Sequence, residues 1–370
     1  MKKQNKIINF ATIDEIIQDA KQGKMFIIVD DEQRENEGDL VIPAQFADKE
    51  AINFMAKYGR GLICLALTED RVRELKLPLM SPFNNSRHGT AFTLSIEAKE
   101  GVSTGISAAD RAKTIADAID ETKGAEHICT PGHVFPLVAR NGGVLTRAGH
   151  TEAAIDISRQ AKLNTSGVIC EIMNEDGTMA RVPDLMNFAA KHDLKIATIA
   201  DLISYRRKSE NLVSKEITSK VTTKYGEFEL SVYVSKTEYA EHLVLKYGEL
   251  DYSRPVMVRM HSQNILADIL GVKETKKEDN LTKSLEIITK NNGIIVMLRS
   301  PQKNRVSETL KSINGNISER PSGNIIRDYG IGAQILRDMG VREMRLITHS
   351  EKSIIGLESF GLKIIEYIKI

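Results

Sequence analysis

From residue 12 to about residue 205, short apolar runs rich in β-branched residues alternate with stretches of helical period, and this alternation limits the fold more than any other feature. The strand-like runs are MFIIVD, LVIPA, GLICLAL, TAFTLSI and GVICEIM, and the helical ones are KEAINFMAKYG, AADRAKTIADAID and PDLMNFAAKHD. An α/β or α+β domain fits this alternation better than an all-α or all-β one, and of the two an α+β domain with a mixed sheet covered by helices is expected. Thr12 and Glu15 form a capping box ahead of Ile13, Ile16 and Ile17, and Gly23 closes the pattern, which predicts a helix over about residues 13 to 22.

The alternation lapses in RRKSENLVSKEITSK, residues 206 to 220, which is charged and has little periodicity. We expect a first domain over 1–206, a linker over 207–221 and a second, α/β domain over 222–370. GEFELSVYVS, VMVRMHS, GIIVMLRS and RLITHS would supply strands to the second, and RDYGIGAQILRDMG a helix closed by Gly340. A length of 370 residues suits two domains. Lys and Arg total 51 against 50 Asp and Glu, so bulk charge attracts neither nucleic acid nor an anionic membrane. No run approaches the ~20 apolar residues needed to cross a bilayer, and the N-terminus lacks a signal-peptide core, so a cytoplasmic location is expected. The three cysteines, Cys64, Cys129 and Cys170, form no CxxC pair and all lie in the first half. A disulfide framework is excluded, and nothing after residue 170 can use thiolate chemistry.

The segment Asp30 to Asp39, DDEQRENEGD, places six carboxylates and one arginine in ten residues between two apolar strands. It is either a solvated acidic hairpin or a site for a hard cation such as magnesium or manganese. If extended, Glu35, Glu37 and Asp39 would point to one side, and Gly38 would permit close backbone approach. A second segment, GGVLTRAGHTEA, sets Arg147, His150, Thr151 and Glu152 beside two glycines. An arginine with a hydroxyl can hold a phosphate, and His150 is either a buried polar residue or a ligand and proton carrier. His133, in PGHVFPL, carries the same two readings. Glu171 follows an apolar strand, where a carboxylate either meets a cation or titrates at a raised pKa. The loop EGVSTGISAADR, with Ser103, Thr104 and Ser107, could wrap a phosphate or merely turn the chain.

In order and spacing, DDEQRENEGD, RHGTAFTLSIEA, GVSTGISAADRAKTI, TPGHVFPL, GGVLTRAGHTEA and GVICEIMNEDGTMAR resemble the 3,4-dihydroxy-2-butanone 4-phosphate synthase family of riboflavin biosynthesis, over about residues 8 to 206. The resemblance implies conversion of D-ribulose 5-phosphate to L-3,4-dihydroxy-2-butanone 4-phosphate and formate, with Mg2+ or Mn2+, by a homodimer whose sites lie near the subunit interface. It implies metal ligation by Glu35 and His150, and substrate contact by Arg34, Glu35, Asp39, Arg147, Ala148, Gly149, His150, Thr151 and Glu171. His133 and Glu171 match positions the family treats as essential for catalysis, and we add Glu37 as a further acid or base near the metal.

YGEFELSVYVSK, PVMVRMHS, RDYGIGAQILRDMGV and GLESFGLKIIE resemble GTP cyclohydrolase II, over about residues 222 to 370. That family needs three cysteine thiolates for a catalytic zinc. Here Asn264, Thr275 and Lys277 occupy the ligand places, Gln263 replaces a glutamate, PQKNRVS replaces EGRGIGL, and Ile325 replaces an acidic residue. Arg327, Thr348 and Lys352 are retained. No zinc and no GTP cyclohydrolase II activity are expected, the alternatives being a bifunctional enzyme or a second domain kept for regulation or docking.

Overall fold

A computed structural model describes residues 9–31, 34–81, 83, 89–236, 240–275, 279–300, 304–313, 322–348 and 357–370, with backbone alone at 312, 322–329, 358 and 359. The chain divides into two compact units, Met1–Arg206 and Arg207–Ile370.

The first unit holds strands β1 (Phe26–Val29), β2 (Gly38–Pro43), β3 (Cys64–Leu67), β4 (Ile96–Ala98), β5 (Ile128–Val138), β6 (Gly167–Glu171) and β7 (Ile196–Thr198). They form one mixed sheet in the order β4-β5-β3-β6-β2-β1-β7. Its helices are α1 (Ile13–Lys21), α2 (Lys49–Phe54), α3 (Glu69–Glu74), α4 (Ala108–Ile119), α5 (His150–Gln160), α6 (Val182–His192) and α7 (Ile199–Ser209). Successive strand residues face opposite sides, so the apolar strands feed two cores. Ile27, Val29, Leu40 and Ile42 join Ile52, Val72, Ile115 and Leu185 under α2, α3, α4 and α6. Phe26, Ile28 and Val41 join Ile16, Ala153, Ile157 and Leu202 under α1, α5 and α7. The expected α1 is present with its capping box. TAFTLSI contributes only isolated bridges at Phe92 and Thr93, with regular pairing beginning at Ile96.

Register places the chemistry. Asp39 pairs with Glu171 across β2 and β6, while Cys64 pairs with Ile169 of β6 and Phe135 of β5. Asp39 and Glu171 thus lie on the face that carries Val41 and Ile169, the one covered by α5.

The second unit holds β8 (Val213–Thr223), β9 (Gly226–Ser235), β10 (Glu241–Tyr247), β11 (Val256–Ser262), β12 (Gly293–Leu298), β13 (Glu343–Thr348) and β14 (Lys363–Lys369). Their order is β14-β13-β11-β12-β10-β9-β8, parallel from β14 to β12 and antiparallel beyond. Helices α8 (Ile265–Asp268), α9 (Asn280–Asn291), α10 (Arg305–Ile313) and α11 (Ser322–Asp338) accompany it. The proposed linker over 207–221 is corrected: α7 continues to Ser209, and most of the segment is strand β8, paired along its length with β9. Most of β8 is exposed, so it needs no apolar alternation and leaves none in the sequence.

Candidate active site

The acidic segment folds back on Asp30, the residue after β1. The side chain of Asp30 is fully buried and accepts from the backbone N–H of Glu37 at 2.9 Å and of Glu35 at 3.3 Å. Arg34 Nη1 reaches Asp30 Oδ2 at 2.6 Å and Glu35 Oε2 at 2.9 Å. Asn36 takes φ of 55°, a left-handed turn, so Glu35, Glu37 and Asp39 do not alternate along one extended strand as the spacing suggested. The turn sends Glu35 toward His150, whereas Glu37 faces Arg181, with Oε1 3.8 Å from Nη1.

His150 opens α5, and its Nδ1 stands 3.9 Å from Glu35 Oε2 and 3.7 Å from Asp39 Oδ1. Ligand atoms of Asp30, Glu35 and His150 lie within 4.8 Å of one another, the one such convergence of three among the described residues. Two buried atoms here, His150 Nε2 and Asp39 Oδ1, have no hydrogen-bond partner, although such atoms are normally satisfied. Burial lowers the His150 pKa to about 4, so the imidazole is neutral and able to ligate. Burial, followed by the charges of Glu171, Glu35, Glu37 and Asp30, holds the Asp39 carboxyl well above its usual range. Burial also raises Glu37, against the pull of Arg181. Crowded hard oxygen donors with one neutral imidazole and unsatisfied buried atoms suit a divalent magnesium-type cation.

Glu171 turns toward the same face, accepting from the Leu62 N–H at 2.8 Å. Its space exists because residue 61 is glycine: a Cβ there would lie 2.5 Å from Glu171 Oε2 and 2.6 Å from the Glu171 carbonyl oxygen. Gly61→Ala should therefore displace the carboxylate and lower unfolding free energy by about 1–3 kcal/mol, read by urea titration. A midpoint equal to wild type would refute this packing account.

Arg147 Nη1 binds the buried Glu152 at 2.6 Å, and Nη2 donates to Thr90 Oγ1 at 3.1 Å. Ala148 is exposed, while Gly149 and Thr151 are buried at the start of α5. The turn before them is tied to Asp156, which accepts from Val144 N at 2.8 Å and Arg206 Nη1 at 2.7 Å. The EGVSTGISAADR loop is organised by Asp110, which accepts from Ser103 Oγ and Gly105 N, while Ser107 caps α4. His133 joins Glu97, not the acidic cluster: three strand steps separate it from Asp39, roughly 14 Å at ordinary strand spacing.

Residues absent from the sequence-derived set complete the site. Asp30 reads as a strand end, yet it anchors the acidic turn. Arg181, the last residue of GVICEIMNEDGTMAR, donates to the Glu35 carbonyl at 2.6 Å and to that of Asn36. Glu97 lies inside the quoted RHGTAFTLSIEA motif, and its position there was the available signal.

In the second unit, Asn264 caps α8 through Leu266 N and Ala267 N, and Thr275 donates to the Val272 carbonyl at 2.6 Å. His261 Nε2 meets Asp268 Oδ2 at 2.9 Å, and Thr348 is buried. Lys277, Lys352 and the side chains of Arg327 and Ile325 lie outside the described residues. Cys64 and Cys170 are buried and Cys129 exposed, all as free thiols. Burial pushes the Cys64 and Cys170 thiols up, away from thiolate chemistry.

Comparison with known proteins follows these divisions. A family model described as 3,4-dihydroxy-2-butanone 4-phosphate synthase matches residues 14–205, and one described as GTP cyclohydrolase II matches residues 214–369. The chain is 48% identical to riboflavin biosynthesis protein RibBA of Aquifex aeolicus, across 98% of this chain and 92% of that one. It is 45% identical to a 3,4-dihydroxy-2-butanone 4-phosphate synthase of Photobacterium phosphoreum, across 98% and 99%. Among solved structures it is similar to RibBX, a two-domain 3,4-dihydroxy-2-butanone 4-phosphate synthase from A. baumannii, with TM-score 0.77 and 37% identity over 97% of this chain and 99% of that one. It is also similar to a synthase in complex with two magnesium ions, with TM-score 0.52 and 38% identity over 54% of this chain and 98% of that one. The chain thus belongs to the 3,4-dihydroxy-2-butanone 4-phosphate synthase family of riboflavin biosynthesis and carries a GTP cyclohydrolase II domain as its second half.

Proposed function

We propose that this chain converts D-ribulose 5-phosphate to L-3,4-dihydroxy-2-butanone 4-phosphate and formate as a divalent-metal-dependent lyase, acting as a homodimer. The convergence of Asp30, Glu35 and His150 beside two unsatisfied buried polar atoms carries this reading. Glu35 and His150 would hold Mg2+ or Mn2+, with Asp30 fixing the turn that presents Glu35. Such an ion supplies positive charge against the negative charge that develops when a proton leaves carbon 3 of the substrate.

The chain's own groups do the rest. Arg34, Asp39 and the stretch Arg147–Thr151 bind and orient the sugar phosphate, and Glu152 and Thr90 hold the Arg147 guanidinium in place. Glu171 and Glu37 move protons between substrate atoms, and His133, three strands from Asp39 within the chain, is assigned to catalysis by its motif position alone. Arg181 keeps the turn 35–37 in position through its carbonyls. Full-length protein should release formate from ribulose 5-phosphate with added Mg2+ and lose that activity in EDTA. Turnover unaffected by chelator would refute metal dependence.

For the second domain we propose that the fold persists without cyclohydrolase chemistry. Asn264 and Thr275, at two of the zinc-ligand places, are used in backbone capping, and neither can replace a thiolate. Purified protein should contain far less than one zinc per chain and release no formate from GTP. Stoichiometric zinc with GTP turnover would establish the bifunctional alternative.

A further inference from the structure

The second unit contains a cavity of about 270 Å3 where the last residues of α7 and the two that follow meet the end of α11. All of its lining residues fall within 207–370. It opens beside Arg342, just ahead of β13, whereas Thr348 stands at the far end of that strand, roughly 17 Å away at ordinary strand rise. The cavity is therefore separate from the places where zinc ligands were sought. Its walls are fixed in advance. Gln334, 8% exposed, accepts from Leu212 N at 2.7 Å and donates to the Arg207 carbonyl at 2.7 Å, which ties the chain after α7 to α11. Asp338 is held from the core side by the hydroxyl of the buried Tyr233, at 2.7 Å.

Three cations, Lys208, Arg337 and Arg342, line this space together with two carboxylates, Asp338 and Glu210. Arg342 Nη1 donates to the carbonyls of Arg337 at 3.2 Å and Val341 at 2.9 Å, a cap on α11 that occupies one nitrogen of one guanidinium. Among the described residues, the side chains of Lys208 and Arg337 make no hydrogen bond or ion pair, and Arg342 meets no carboxylate. Like charges gathered around one hollow repel unless an anion joins them. We propose that the cavity binds a small phosphorylated polyol, with its phosphate on Lys208, Arg337 and Arg342 and its hydroxyl groups on Asp338 and Asn211. Guanidinium groups match phosphate oxygens in geometry as well as charge. Asp338 spends one oxygen on Tyr233 and keeps the other for a hydroxyl donor. Asn211 spends its oxygen on Val213 N at 3.3 Å, which leaves its amide N–H groups to donate. The volume lies just under the range for drug-sized ligands, so it suits a compact sugar phosphate and not a dinucleotide.

The test is isothermal titration calorimetry of the full-length protein without added metal, with sorbitol 6-phosphate as the probe and sorbitol as the control. The phosphate ester should bind, more weakly as salt rises, and sorbitol should not. Arg337→Ala/Arg342→Ala should weaken binding about 100-fold and Lys208→Ala about 10-fold, the usual loss for charge-assisted hydrogen bonds. Arg337→Lys, which keeps the charge, should retain most of the affinity. Equal affinity in wild type and the double variant would place the probe elsewhere and overturn the proposal, as would no binding at all or equal binding of sorbitol. Lys208→Ala, at the exposed end of α7, decides the question should the double variant fail to fold: affinity equal to wild type overturns the proposal. Because the readout is binding in the second unit, it does not depend on the synthase reading.

Discussion

Glu35→Gln and His150→Ala should each cut formate release from ribulose 5-phosphate by about 1000-fold or more while leaving the fold intact. The acidic turn is assembled by Asp30, Arg34 and backbone donors, so neutralising Glu35 removes one of several crowded negative charges and not a support of the core. The Nε2 of His150 is unpartnered and its ring makes one hydrogen bond to the Ile28 backbone, so alanine there removes a ligand and a single hydrogen bond. Circular dichroism and urea midpoints near wild type, with turnover lost, are the expected pair of results. Full activity in either variant would refute the assignment of both residues to the metal.

The second large effect concerns stability. Asp156 and Arg206 form an ion pair at 2.7 Å with side chains 0% and 6% exposed, and Asp156 also receives the Val144 N–H. Burial raises the Asp156 carboxyl above its usual range despite Arg206 and Arg159, so desolvation outweighs the attraction. Such a pair adds little stability relative to an apolar pair, yet removing one member strands a buried charge. Asp156→Ala should therefore cost about 3–5 kcal/mol in urea unfolding, whereas the double variant Asp156→Leu/Arg206→Met should cost much less. Because Asp156 holds the turn leading to Arg147 and His150, the single variant should lose activity as well. A cost below about 1 kcal/mol would contradict this account of the turn.

Much of the first domain was legible in sequence because its strands and helices are buried on one or two regular faces. The capping box at Thr12 and Glu15, the runs of β1, β2, β3 and β6, and the periodicity of α4 and α6 translate directly into structure. α5 was read as a string of site residues, although its Ala153 to Ile157 stretch is entirely buried. An exposed strand such as β8 carries no hydrophobic pattern, so its sequence reads as a linker. At the site, Glu35 and Asp39 stand within 4 Å of His150, and Asp39 pairs with Glu171, all of them residues of the quoted motifs. Contacts made across long sequence separations, Arg181 to the Glu35 carbonyl and Glu97 to His133, leave no local signature. The turn at Asn36 was hidden for another reason: alternating carboxylates look like strand spacing until a left-handed residue breaks the run.

The most direct test of the central claim is the fate of carbon 4 of the substrate. D-ribulose 5-phosphate labelled with 13C at that carbon, incubated with full-length protein and Mg2+, should yield 13C-formate in step with loss of substrate. Unlabelled formate, or no formate at all, would contradict the account.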